Sequence, residues 1–198
     1  MKPPTNVQRP EDQFFYDMQV RKSLIYTATR HFVYARHFYS LPVAELTDLG
    51  IEMRYSFYQL LQLTMAKLFV NNRRTQKYNL HQLLRDFQTE PFLQLKIPVD
   101  RLQAFIDQLA IFRPTIKGLQ MARDEWIAHT DKLGGIAPYH NFFPTSEKLI
   151  KCGFELLDTC SQAILNTPVF NTLYTTTIGD LDLCKKINTS AGIPPTVN

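Results

Sequence analysis

The chain has 198 residues, 44% apolar and 20% charged, with 14 Phe and 9 Tyr, which suits one folded domain burying roughly 70% of its unfolded surface and excludes a disordered chain. A net charge of +4 helps an encounter with a polyanion without establishing one. Cys152, Cys160 and Cys184 form neither an even disulfide set nor a C-x-x-C pair, "MKPPTNVQRPEDQ" lacks a signal peptide's apolar core, and no uncharged run reaches roughly 18 residues, so a reduced cytoplasmic setting without a membrane span is expected.

Residues 1–10, with Pro3, Pro4 and Pro10, read as a flexible leader. A first long helix is predicted from Pro10 to Phe38, with Glu11 and Asp12 in its first turn and Phe14, Met18, Arg21, Ile25, Ala28, Phe32 and Ala35 along one face. Pro42 breaks it. The stretch "VAELTDLGIEMRYSFYQLLQLTMAKLFVNN" predicts a second helix whose stripe includes Phe57, Leu60, Leu61, Thr64, Leu68 and Phe69, closed by Asn71 and Asn72. A shorter helix follows in "NLHQLLRDFQ", with Asn79 as N-cap and Leu80, Leu83, Leu84 and Phe87 facing inward.

Val99 to Thr130 carries Leu102, Phe105, Ile106, Leu109, Phe112, Ile116, Leu119 and Ala122 at helical spacing. Pro114 either kinks this run or splits it in two, and Gly118 weakens it further. The last helix is "TSEKLIKCGFELLDTCSQAILN", introduced by Pro144, Thr145 and Ser146. The expected fold is therefore all-α, an up-and-down bundle of about five helices over residues 11–167. Residues 168–198 read as an irregular C-terminal extension, and the Thr-rich segment "TPVFNTLYTTTIGDLDLCKKINTS" fits an irregular tail or a small hairpin equally well.

No glycine-rich phosphate loop, H-E-x-x-H, Gly-x-Ser-x-Gly or Cys/His metal quartet is present, so no cofactor and no metal are expected. What remains are three Arg/His pairs: Arg30 with His37, Arg74 with His81, and Arg123 with His129. Chance alone accounts for at least two. Arg30 and His37, in "RHFVYARH", suit a basic face whose arginine stems cover apolar surface, or a supporting phosphate contact. Arg74 and His81 straddle a predicted loop and an N-cap, so no fixed geometry relates them.

Arg123 and His129 share one predicted helix, about 9 Å apart along its axis and about 120° apart around it. They do not meet face to face within one chain. They can line two sides of a groove, particularly against a second copy. The plainer reading of the same residues is a helix-end network of Asp124, Glu125 and His129, with Glu125 and His129 paired at i, i+4. Trp126 suits base stacking, but more ordinarily core or dimer interface.

The stretch "ARDEWIAHTD" resembles the signature of the HEPN superfamily: an Arg, a polar residue, and a His after four to six intervening positions. The order of elements, with "YNLHQLLRDF" before "IAHTD", resembles the branch typified by abortive-infection proteins over residues 12–166. The resemblance implies a helical bundle that dimerises through the motif helix and acts as a metal-independent endoribonuclease, a toxin or phage-defence effector, with an antitoxin as a possible protein partner. Relatives regulated by nucleotidylation carry Tyr two residues after the motif His. Asp131 stands there, so the resemblance does not extend to that regulation.

On this reading, RNA is the substrate and its own 2′-OH attacks phosphorus to leave a 2′,3′-cyclic phosphate. His129 is the general acid/base, because imidazole titrates near neutrality. Arg123 is the phosphate clamp, because guanidinium offers a planar fork of donors. Asp124 orients Arg123 or the second copy's His129. The alternative is a noncatalytic helical module that binds RNA, a nucleotide or a protein.

Overall fold

The structure is a computed structural model that describes residues 10–72, 77–93, 96–128 and 141–165. Among these residues all regular structure is helical: α1 (Pro10–Ser40), α2 (Asp48–Phe69), α3 (Leu80–Thr89), α4 (Val99–Ile111), α5 (Arg113–Ala128) and α6 (Phe142–Leu165), with a 3-10 turn at Val43–Glu45. No described helix is long and apolar enough to cross a membrane. The leader up to residue 9 and the chain after 165, including the Thr-rich segment, lie outside the described residues.

Among the described residues there are six α-helices where about five were expected, because the run from Val99 is split and not merely kinked. Phe112 leaves helical geometry (φ −89°, ψ 8°) and its carbonyl accepts the first hydrogen bond of α5, from Ile116 N–H at 2.9 Å. Pro114 then stands in the first turn of α5, where its missing N–H costs nothing. Gly118 lies inside α5 without breaking it.

Other boundaries shift for equally local reasons. The second helix begins at Asp48, not Val43, because the Thr47 side chain accepts Gly50 N–H at 3.1 Å and starts the helix there. Asn79 caps α3 by accepting Gln82 N–H at 2.8 Å. The last helix starts three residues early, at Phe142, after Asn141 takes a left-handed φ of 65° that asparagine tolerates. That early start seats Phe142 on Tyr58 and Phe143 on Phe32 and Tyr39.

α1 and α2 are antiparallel partners, since His31 meets Thr64 while Tyr39 meets Tyr58. α6 runs antiparallel to α1, with Arg36 paired to Glu147 near its start, and meets α2 through Phe142 and Gly153. α4 packs antiparallel on α6, and α5 packs on α2. Gly153 of α6 marks a close approach. A Cβ there would stand 3.0 Å from Phe69 Cζ, 3.1 Å from Ile25 Cδ1 and 3.2 Å from Leu80 Cδ1.

Two positions depart from the predicted stripes. Leu60 is exposed, and Tyr58, outside the expected stripe, is buried instead. Arg21 does lie on the core face and is fully buried, its Nη2 3.4 Å from Asp86 Oδ2. Asp86 also accepts Gln82 Nε2–H at 2.6 Å, and Asp17 adds a second negative charge near the guanidinium. Burial pushes Arg21 below the ordinary arginine pKa against the pull of Asp86 and Asp17, and pushes Asp86 above the carboxylate range against Gln82 and Arg21. On both partners desolvation outweighs attraction, so this pair specifies position more than it stabilises.

Removing one partner then exposes the cost of the other. Asp86→Ala leaves a buried guanidinium with less compensation and is expected to lose about 3–5 kcal/mol. Arg21→Met leaves only a part-exposed carboxylate that keeps its Gln82 bond, so urea denaturation should show a clearly smaller loss; equal losses would contradict the assignment.

The two helical glycines are expected to behave oppositely. Gly153→Ala crowds three side chains at once, a cost of about 1–3 kcal/mol that outweighs the roughly 1 kcal/mol helix-propensity gain, so Tm falls. A Cβ at Gly118 meets nothing within 4 Å, so Gly118→Ala should raise Tm. Melting curves of both variants check the pair.

Candidate functional site

The described part of the motif lies in the last turns of α5. Leu119 is buried against the bundle and holds the helix in place. Arg123 follows four residues on, so it shares a side of α5 with that anchor. Its side chain is only 12% exposed, whereas that of Asp124 is 53% exposed. Arg123 donates to a single oxygen, Asp124 Oδ1, from Nε at 2.8 Å and from Nη2 at 2.6 Å. One edge of the guanidinium is thereby fixed.

His129 and Asp131 lie outside the described residues, as does the side chain of Trp126. Glu125 is exposed. The structure thus brings Arg123 and Asp124 together and leaves their geometry to His129 unspecified.

The other Arg/His pairs fare differently. Arg36, from the same basic stretch as Arg30 and His37, lies over the Phe32 ring at 5.9 Å and bonds Glu147, joining α1 to α6. His37 packs edge-on against Phe38. Arg74 lies outside the described residues. His81 stands in the first turn of α3, half-buried, with Nε2 3.1 Å from the Phe69 carbonyl. A carbonyl only accepts, so this bond assigns the proton to Nε2.

His81 opens onto a feature that sequence spacing did not reveal. A cleft of about 390 Å³ lies between the C-terminal ends of α2 and α4, the start of α3, and α5. Its polar lining is Asn71, His81, Arg113, Lys117 and Gln120; its apolar wall includes Ile106, Leu109 and Ile116. Among the described residues that line it there is no carboxylate. Four separate elements contribute, so no local motif signals the site. The one legible hint was the cationic residue Lys117 lying four residues after Arg113 at a helix start.

A second cleft between α4 and α6, about 360 Å³, is of mixed charge, with Arg101 facing Glu155 and Asp158. The thiols offer little chemistry. Burial and nearby Glu155 push Cys152 up to about 11, and burial raises Cys160 further still. Among the described residues no group of three or more His, Cys, Asp or Glu is placed to hold a metal ion. Compared with protein-family profiles, curated proteins and solved structures, the chain finds no match.

Burial lowers both His81 and His31 below the usual imidazole pKa; the bond to the Phe69 carbonyl partly offsets this for His81, and nearby Arg85 adds to it. A lowered folded-state pKa means that the unfolded chain binds protons first. The contribution to stability is therefore complete above ~6.5 and is lost as pH falls below it toward the folded values. Asp86, shifted upward, acts with the opposite sign at lower pH. Urea denaturation at pH 7.5 and 5.5 should show a smaller loss for His81→Gln, which retains a donor for Phe69, than for the wild type.

Proposed function

We propose that the chain is a metal-independent endoribonuclease whose site comprises Arg123, Asp124 and His129 of two copies joined through α5. The observation that carries this reading is the state of Arg123. A charge at an ordinary solvated helix end is exposed and mobile, whereas this guanidinium is largely buried and gripped along one edge by Asp124. Such preorganisation suits a group that must meet charge developing on a phosphorane.

In the proposed reaction one His129 takes the proton from the 2′-OH as its oxygen bonds to phosphorus. The P–O5′ bond breaks, and the departing 5′-oxygen gains a proton from the second copy's His129. The products are a 2′,3′-cyclic phosphate and a 5′-OH. Arg123 holds a nonbridging oxygen throughout. The outward face of α5 supports the dimer: Met121 is 55% exposed there, about 60° round the helix from Asp124. The resemblance to abortive-infection proteins extends the proposal to a cytoplasmic toxin or phage-defence role, with an antitoxin as a candidate partner.

Single-stranded RNA incubated in EDTA is the direct test. His129→Ala and Arg123→Ala are each expected to slow cleavage by about 10²–10⁴-fold with unchanged far-UV circular dichroism, and wild-type products should end in 2′,3′-cyclic phosphate. Asp124→Asn, which keeps one acceptor for Arg123, should lose less. Undiminished cleavage by both alanine variants rejects the proposal; RNA binding without cleavage by the wild type favours the noncatalytic module.

A further inference from the structure

The cleft beside His81 carries unneutralised charge. Elsewhere in the bundle the cations Arg21, Arg36, Lys77 and Lys151 each meet a carboxylate. Arg113 and Lys117 make no ion pair among the described residues, and none of the cleft's lining residues is acidic. Two such cations one helical turn apart fit a phosphate.

The rest of the cleft fits what a phosphate in RNA is attached to. Ile106, Leu109 and Ile116 supply an apolar wall for the flat face of a base. Asn71 has its Oδ1 engaged by Arg85 Nη1 at 3.2 Å, which assigns its amide N–H groups as donors, and Gln120 adds a second amide. A volume of about 390 Å³ lies at the small end of ligand sites, which span about 300–1,000 Å³. The α4–α6 cleft is of similar size but has Glu155 and Asp158 in its lining, which would repel the same ligand.

Position links the cleft to the motif. On α5, Ile116 and Arg123, like Lys117 and Asp124, stand seven residues apart, about 10.5 Å along the axis and on one side of the helix. Gln120 lies one turn before Arg123. The α5 wall of the cleft thus runs into the Arg123–Asp124 pair.

We infer that this cleft holds one nucleotide of an RNA strand beside the phosphate to be cut, its own phosphate on Arg113 and Lys117, its base against the apolar wall, and its edge read by Asn71 and Gln120. The inference rests on the endoribonuclease reading for the strand it names, and the two fail separately.

The test uses the full chain and a fluorescent single-stranded oligonucleotide made entirely of 2′-deoxy units, which lacks the attacking hydroxyl and stays intact. Arg113→Gln/Lys117→Gln alters two exposed side chains, so the fold should hold. Its expected effect is at least about tenfold weaker binding, with a salt dependence of log K shallower by about 1.4 for two lost single-strand phosphate contacts. Unchanged binding overturns the inference even if the wild type cleaves RNA. Weakened binding alongside a wild type that does not cleave upholds the cleft and removes the endoribonuclease reading. If 5′-AMP binds as tightly as the oligonucleotide, and with the same dependence on the two cations, the cleft serves a free mononucleotide and the strand inference is overturned.

Discussion

The close approach at Gly153 is the constraint on which the arrangement depends. Even a Cβ there would press within 3.0–3.2 Å of Phe69, Ile25 and Leu80, one residue each from α2, α1 and α3. Its absence lets α6 sink between those helices, and α4 in turn packs on α6. The same contact settles the cleft, because Phe69 immediately precedes Val70 and Asn71, and Leu80 precedes His81. Two walls of a polar surface feature are thus held by an apolar contact in the core. The His81–Phe69 hydrogen bond then ties the two walls to each other.

α3 shows how polar contacts refine what apolar packing starts. Leu80, Leu83, Leu84 and Phe87 bury its inner face and would tolerate some sliding along its axis. Arg21 opposes that freedom, since its buried guanidinium meets the carboxylate of Asp86 near the end of α3. His81 performs the same service at the start. The helix is therefore held at both ends by groups that desolvation penalises, and a shift along the axis would leave them uncompensated.

Helical periodicity made much of this fold readable. The inward face of α1 and the Leu/Phe stripe of α3 follow from spacing, and Asn79 follows from capping chemistry. Periodicity failed where a residue's neighbour, not its spacing, decides burial. Leu60 has the right spacing but faces solvent, while Tyr58 is covered by Phe142 and Tyr39. Arg21 could be placed on the core face, but its acidic partner lies 65 residues away and no local pattern marks it. The cleft was hidden for the same reason. Of the motif, adjacency in sequence was enough to associate Arg123 with Asp124, whereas the burial of the Arg123 side chain follows from tertiary packing that no local pattern marks.

In the proposed RNA site, the carboxylate beside Arg123 need not cancel the attraction for a polyanion. Asp124 is largely solvated, so water screens its charge, whereas the guanidinium it grips is mostly shielded. α5 as a whole carries three cations, Arg113, Lys117 and Arg123, against two carboxylates, Asp124 and Glu125. Under the proposed function the α5 cations divide the labour. In the proposed site the two exposed cations at the start of α5 take one phosphate of the strand, and their long-ranged field also aids its capture. Arg123, with one edge fixed, is suited to a short, directional contact with one phosphate. On that proposal attraction and orientation fall to different residues of one helix, so a change that weakens capture need not disturb the geometry at Arg123.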